Sequence, residues 1–363
     1  MNGSLYGAEP VAVLLAAVRG GRRPPADPQR RYFGYFCSYW PEELLLAAGL
    51  EPLRLLPPET AGTPACLPAF CCLPARACLA AAEAGELDAL AGVGFAHSCD
   101  TVQCLTGIWP HRTRLFFVPP ATPLAPGAEV YLRGELHRLW RQLAAAAGVQ
   151  PEEEALRRAV ALMNGVRLLA GRLDEMRPGL PSPLTAALLR AGQLMPRADY
   201  AAALEAALPL LADAADEPGG RRRLVLSGSL LESDGLYMMF EELGARVVAD
   251  DTCTGYRHFA VTVDEGVEPL AGLAARCAAR PPCPCRHPGP DRRADYLLDL
   301  AGRRGAQGVV LALRKYCDPH AWDAVAVGER LRRSGLPVLV LEMEAAAPGG
   351  QERTRLQAFL ESL

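Results

Sequence analysis

Short apolar runs alternate with helix-length amphipathic stretches at both ends of the 363-residue chain, and a block of helix formers fills the middle. The runs at 53–56, 90–96 and 115–118 are bounded by Gly and Pro, as buried strands are. A helix is predicted to start at Pro41, with Glu42 and Glu43 in its first turn, an apolar run to Ala48 and Gly49 as its stop. Proline at the first helical position and acids near the positive helix end both suit that start. From Arg221 the alternation returns, with strands predicted at 224–226, 247–249, 308–313 and 338–341. Helices at 230–243, 291–303, 322–334 and 351–363 separate them. Between the two regions, 128–147, 152–175, 184–193 and 200–215 have helical composition, punctuated by Pro and Gly. A short apolar helix at 11–18 and a Gly/Arg/Pro/Pro linker open the chain. Strand–helix alternation predicts an α/β protein with two Rossmann-like, doubly wound parallel sheets and a helical connector. The expected divisions are 1–29 (helical segment and linker), 30–126 (first α/β domain), 127–220 (helical segment) and 221–363 (second α/β domain). Two α/β units flanking a helical block suggest a loose duplication.

Composition narrows the classes. Half of the residues are hydrophobic and 22 % are charged, enough apolar material for sizeable cores. A net charge of −3 argues against a nucleic-acid binder that works through a basic field. No apolar run reaches the ~20 residues of a membrane span. The apolar patch near the N-terminus lacks the basic start of a signal peptide, so a cytoplasmic protein is expected. Lys315 is the only lysine among 38 basic residues, a bias of coding rather than of function.

Cysteine is the outlier, with twelve in the chain. In a reducing compartment so many thiols point to metal or redox chemistry, and the alternative is that they pack as small buried hydrophobes. Cys99, Cys253 and Cys317 follow predicted strands, where open α/β sheets bind their ligands. Cys37 and Cys72 precede helix starts, and Cys283 and Cys285 sit in the breaker-rich stretch RPPCPCRHPGP. Single thiols at strand ends converge when such a fold closes, unlike the paired CxxC knuckles of a zinc ribbon. Thiolates suit zinc and iron–sulfur clusters above other metals. Weaker candidates accompany them. Ser227, Gly228 and Ser229 form a predicted strand-to-helix turn that would offer backbone N–H groups to a phosphate, or serve as a plain turn. Asp318, His320 and Asp323 cluster near Cys317, and His97 lies near Cys99. Asp250 and Asp251 read as a solvated acidic pair. Gly350, Gln351, Arg353 and Arg355 read as an anion site or a charged helix face.

Seven segments occur in a telling order: YFCSYWPEELLLAAGLEPLRL, SCDTVQCLTGIW, LSGSLLES, ADDTCTGYRHF, PCPCRHPGPDRRADYLLDLA, GVVLALRKYCDPHAWD and GGQERTRLQAFLESL. Together they resemble the 2-hydroxyacyl-CoA dehydratase family, which also contains benzoyl-CoA reductase cluster-binding subunits and double-cubane cluster proteins. The resemblance runs from about Arg30 to the C-terminus and is weakest in the helical middle. Glu342-Met343-Glu344 departs from the Glu-Thr-Asp common in the family. The resemblance implies an oxygen-sensitive iron–sulfur protein that receives one low-potential electron from a separate ATP-dependent iron–sulfur activator. It implies a related second subunit or a homodimer, and an acyl-CoA substrate dehydrated through a ketyl radical. Family positions carry Cys37, Cys72, Cys99, Cys253, Cys285 and Cys317. Either three of them hold one 4Fe-4S cluster, with Cys37, Cys99 and Cys317 the preferred set and Cys72, Cys253 and Cys285 the second, or all six serve a double cubane (8Fe-9S). Ser38 beside Cys37 is a proton-relay candidate or a helix cap. Cys66, Cys71, Cys78, Cys104 and Cys277 read as structural or surface thiols. A small-molecule reductase, or a non-catalytic cluster-carrying or partner subunit, are the alternative functions.

Overall fold

A computed structural model describes residues 3–20, 27, 29–56, 64, 66–120, 122, 125–216, 219–286 and 289–363. Two N-terminal helices, α1 (Gly3–Gly7) and α2 (Glu9–Gly20), precede a first α/β unit. It runs β1 (Tyr32–Tyr35), α3 (Glu42–Ala47), β2 (Glu51–Arg54), α4 (Leu73–Glu83), β3 (Gly92–Ala96), α5 (Asp100–Ile108) and β4 (Arg114–Phe117). Four helices follow: α6 (Ala128–Ala147), α7 (Glu153–Glu175), α8 (Ser182–Leu194) and α9 (Arg197–Asp213). The second unit contains β5 (Arg222–Gly228), α10 (Gly235–Glu242), β6 (Ala245–Asp251), α11 (Pro269–Ala279), α12 (Pro290–Arg304), β7 (Gly308–Arg314), α13 (Asp318–Arg333), β8 (Val338–Met343) and α14 (Gly350–Glu361).

Both sheets are four-stranded and parallel, ordered β2-β1-β3-β4 and β6-β5-β7-β8. The strand order is therefore the same in the two units, which is the Rossmann-like arrangement expected from the alternation. In each sheet the chain reverses its direction of travel between the two central strands, and at that point the connecting loops part and leave a crevice. Cys37 follows β1 and Cys99 follows β3. Ser229 follows β5 and Cys317 follows β7. Each crevice thus carries chemistry-bearing residues from both of its central strands.

The central strands are buried on both faces along their middles, which is why β3, residues 224–226 of β5 and 309–313 of β7 are apolar runs. The helical block holds the halves together. Helices α2, α8 and α9 share a core with Phe259, while α6 and α7 pack with Trp40, Phe117 and Leu273 of α11. Close approaches demand glycine at two places. A Cβ on Gly228 would collide with the Ala312 carbonyl oxygen, and one on Gly94 would stand 2.5 Å from the Trp40 ring.

Several elements differ from their sequence pattern. Strand β1 is four residues, Tyr-Phe-Gly-Tyr, too short to give a run. Helices α4, α5 and α11 are rich in Ala, Cys and Gly and lack a strong periodic contrast. The helix expected from Leu230 begins at Gly235, because Leu231 is buried and Arg314 bonds both the Leu230 carbonyl and Glu232. Strand β6 runs on through Asp250 and Asp251, both buried rather than solvated. Arg177 and the Tyr237 hydroxyl face Asp250, while Arg257, Arg293 and Ser227 face Asp251.

Candidate metal centre

Eight cysteines and a histidine meet in one chamber between the two sheets. A cavity of about 130 Å³ is lined by Cys37, Cys72, Cys78, Cys99, Cys253, Cys283, Cys285, Cys317 and His320. A larger cleft of about 660 Å³ opens beside it. Four thiols, those of Cys72, Cys99, Cys285 and Cys317, line both spaces, whereas Cys37, Cys78, Cys253 and Cys283 line only the inner one.

Each thiol is delivered by a local device. Cys72 and Cys99 stand at the N-caps of α4 and α5, and Cys317 at that of α13, so three helix N-termini aim at the chamber. The partial positive charge there favours thiolate, by about 0.3–1 kcal/mol per helix. Tyr316, immediately before Cys317, adopts a left-handed φ of 65°, a conformation uncommon for a tyrosine. It turns the chain sharply from β7 to α13. The Tyr39 backbone N–H points at Cys37 Sγ at 3.5 Å, and Arg257 Nη1 points at Cys253 Sγ at 3.8 Å.

The tightest group is Cys283, Cys285 and His320, whose ligand atoms lie within 4.8 Å of one another. Hydrogen bonds from Cys253, Cys285 and His320 hold the Cys283 thiol well below its usual range. Burial pushes the others up: Cys37, Cys72 and Cys317 rise, and Cys99 is pushed up to about 11. Cys253 and Cys285 rise chiefly because each donates to Cys283. Crowded, dry sulfurs hold their protons until a cation replaces them. The donor set is overwhelmingly soft, which suits a thiophilic metal rather than magnesium or calcium.

The remaining candidates fall in distinct places. Ser38 is buried. Its hydroxyl donates to the Cys253 carbonyl at 3.0 Å and accepts from Arg54 Nη1 at 3.1 Å, which ties the two units together. It does not cap α3, whose N-cap is Pro41. Ser227 Oγ bonds Asp251 and Arg293, and Gly228 is inside β5, so neither stands in a turn at a helix start. Ser229 lines the inner cavity. His97, Asp318 and Asp323 line the outer cleft, where Asp323 pairs with Arg293 at 2.6 Å. Arg353 pairs with exposed Glu242, and Arg355 donates to the Val340 carbonyl, as in a charged helix face. Cys66 and Cys104 are exposed. Cys71 and Cys78 are buried, and Cys277 packs against the core formed with α6. Sequence reasoning singled out neither Cys283 nor His320 as members of the inner group. The Cys-Pro-Cys spacing and the position of His320, three residues after Cys317, were the available signals.

Homology bears on the same residues. A family model, 2-hydroxyglutaryl-CoA dehydratase, D-component, matches residues 37–363. The chain belongs to this family. Among curated relatives, the lactoyl-CoA dehydratase beta subunit of Anaerotignum propionicum is 26 % identical over 348 residues, covering 93 % of each chain. The (R)-phenyllactyl-CoA dehydratase beta subunit of Clostridium sporogenes is 25 % identical over 350 residues, covering 92 % of each. A benzoyl-CoA reductase subunit from Thauera aromatica is 24 % identical over 357 residues, covering 93 % of this chain and 92 % of its own. The dehydratase D-component family is a family of enzymes, and the matched span begins at Cys37 and takes in every thiol of the chamber. Among the described residues no helix is long and apolar enough to cross a membrane.

Proposed function

We propose that this chain is the iron–sulfur subunit of a 2-hydroxyacyl-CoA dehydratase-type enzyme, acting in the cytoplasm. It would work with a related subunit or a second copy and with an ATP-dependent iron–sulfur activator. The observation that carries this is the convergence of eight thiols from both sheets in one chamber that opens on a substrate-sized cleft. The dehydratase relatives are named as beta subunits, which supports a partner subunit.

The donors fit a 4Fe-4S cluster on their chemistry: soft thiols in excess, and helix N-termini that favour their anions. Cys72, Cys99 and Cys317 are the three N-cap thiols, and all line the cleft. Sequence reasoning preferred Cys37, Cys99 and Cys317, and cleft access favours Cys72 in place of Cys37. Bound there, such a cluster supplies one low-potential electron and an open iron position that polarises a substrate oxygen. The chain's own residues then do the rest. Tyr39 and Trp40 close the inner side against water. His97, the imidazole lining the cleft among the described residues, stands where a proton must be accepted, and Asp100 and Asp318 bound the same space. Tyr316 and Trp322 give that space its aromatic wall.

A second reading has its own observation. Beyond Cys72, Cys99 and Cys317 the chamber also holds Cys37, Cys253, Cys283 and Cys285, thiols enough for a second cubane, as in a double-cubane reductase. Anaerobic purification with iron and sulfide analysis tests both. Four irons per chain support the first, eight the second, and a colourless protein with stoichiometric zinc rejects both. Calorimetry with a CoA thioester then separates a dehydratase from a reductase that does not use CoA.

A further inference from the structure

Three arginines around the chamber are buried with no carboxylate to balance them. Arg54 and Arg286 are 2 % exposed and Arg280 is 7 % exposed. Elsewhere in this protein a buried guanidinium has its acid: Arg167 pairs with Glu43, Arg177 with Asp174, Arg197 with Glu42, Arg257 with Asp251, and Arg314 with Glu232. No ion pair among the described residues includes Arg54, Arg280 or Arg286. Arg286 is the extreme case, because its Nε, Nη1 and Nη2 are all buried without a hydrogen-bond partner.

Their placement is not scattered. Arg280 and Arg286 stack on the Tyr39 ring, 4.4 and 4.8 Å from its centroid. Tyr39 lines the sulfur chamber two residues from Cys37, and Arg286 directly follows Cys285. Arg54 lines the chamber and bonds Ser38, whose carbonyl receives Arg280 at 2.5 Å. An isolated buried cation is costly, and a fold that keeps three of them side by side requires a nearby anion. No carboxylate among the described residues supplies it, and an assembly of metal-bound thiolates does.

We infer that Arg54, Arg280 and Arg286 are the counter-charge of an anionic sulfur centre in the chamber, positioning residues that set its reduction potential and couple its binding to stability. This rests on the cluster-binding function proposed above. Cationic groups close to a cluster favour its more negative, reduced state and raise its potential. They also make the metal-free chain carry unbalanced positive charge that loading relieves.

Arg286 gives the cleanest variant, since its guanidinium has no hydrogen bonds to lose. Parent, Arg286→Met and Arg286→Lys are reconstituted anaerobically to equal iron content and titrated with electron paramagnetic resonance as the readout. The Met variant is expected at a more negative midpoint potential, with the Lys variant returning towards the parent. Without iron, Arg286→Met is expected to melt above the parent, and its gain in melting temperature on loading is expected to be smaller. Arg54→Met, on a different element, must move the potential in the same direction. An unchanged midpoint together with an unchanged gain on loading overturns the inference. A parent chain that takes up no iron sinks the proposed function. The counter-charge is then decided by metal-free melting alone, where a lower-melting Arg286→Met overturns it.

Discussion

Replacing Arg197 by Met should destabilise the protein by about 3–5 kcal/mol at neutral pH, and the deficit should shrink in acid. Arg197 is fully buried at the start of α9 and reaches across to α3. It bonds both carboxylate oxygens of Glu42, the Tyr35 hydroxyl at 3.3 Å and the Met195 carbonyl at 2.5 Å. Met keeps the volume and removes the charge, so Glu42, itself 3 % exposed, becomes a buried carboxylate without its main partner. Breaking a buried pair from one side costs about 3–5 kcal/mol. Burial alone would push Glu42 up, but Arg197 and then His258 prevail and hold it well below the usual carboxylate range. The stability this contributes is complete above an unfolded carboxylate's pKa of about 4.3 and is lost as pH falls through the lower folded value. In Arg197→Met, burial wins, Glu42 titrates higher, and the variant recovers relative to the parent as pH drops from about 7.5 to about 5.5. His258 Nε2 lies 3.5 Å from Glu42, and burial holds this imidazole down at about 4 in the parent. Without Arg197 it becomes the surviving counter-ion and should titrate closer to its ordinary value. Urea midpoints by circular dichroism at both pH values, with imidazole NMR, read these effects. A variant within about 1 kcal/mol of the parent at neutral pH, or a deficit that ignores pH, refutes the pairing as described.

Three further outcomes follow from the same geometry. Cys72→Ala, Cys99→Ala and Cys317→Ala should each lose iron and melt lower, while Cys78→Ala and Cys277→Ala keep their iron. Cys37→Ala should retain the full content and spectrum, and a loss of iron there would return Cys37 to the three-thiol set in place of Cys72. Gly228→Ala should lower the melting temperature, corresponding to about 1–3 kcal/mol of overpacking, because the new methyl meets the backbone of β7 rather than a movable side chain. Because His258 is held neutral in the fold, its contribution to stability is present above about pH 6.5 and lost as pH falls towards about 4. The loss is about 3 kcal/mol, and His258→Gln should flatten that limb of the stability curve.

The strand–helix rhythm was legible because the centres of parallel strands buried on both faces are apolar, as in Leu224, Val225 and Leu226 of β5 and Val309 to Leu313 of β7. The long helices α6 and α7 were legible for the complementary reason, a periodic contrast maintained over many turns. What escaped was whatever depends on a distant partner. Glu42, Glu43, Asp250 and Asp251 read as solvated or helix-end acids until Arg197, Arg167, Arg177 and Arg257 are brought to them from elsewhere in the chain. Cys37, Cys72, Cys99, Cys253, Cys285 and Cys317 were recognisable by their places at strand ends and helix starts. Their division into cleft-facing and inner thiols was not, because it depends on how the two sheets face each other. Cys283 owes its lowered pKa to three neighbours, of which only Cys285 is close in sequence.

The split of the chamber across two matching sheets has a consequence for the newborn chain. Cys37, Cys72 and Cys99 belong to the first unit, while Cys253, Cys283, Cys285 and Cys317 belong to the second. During synthesis the early thiols leave the ribosome with the whole helical block, α6 to α9, still to be made before their counterparts exist. For that interval the half-built wall is open, and its sulfurs are exposed to oxidants and stray metals. Maturation is therefore a matter of timing as much as of affinity. A delivery system that loads the finished chain meets a complete sulfur cage, whereas one that acts on the nascent chain meets only half of it.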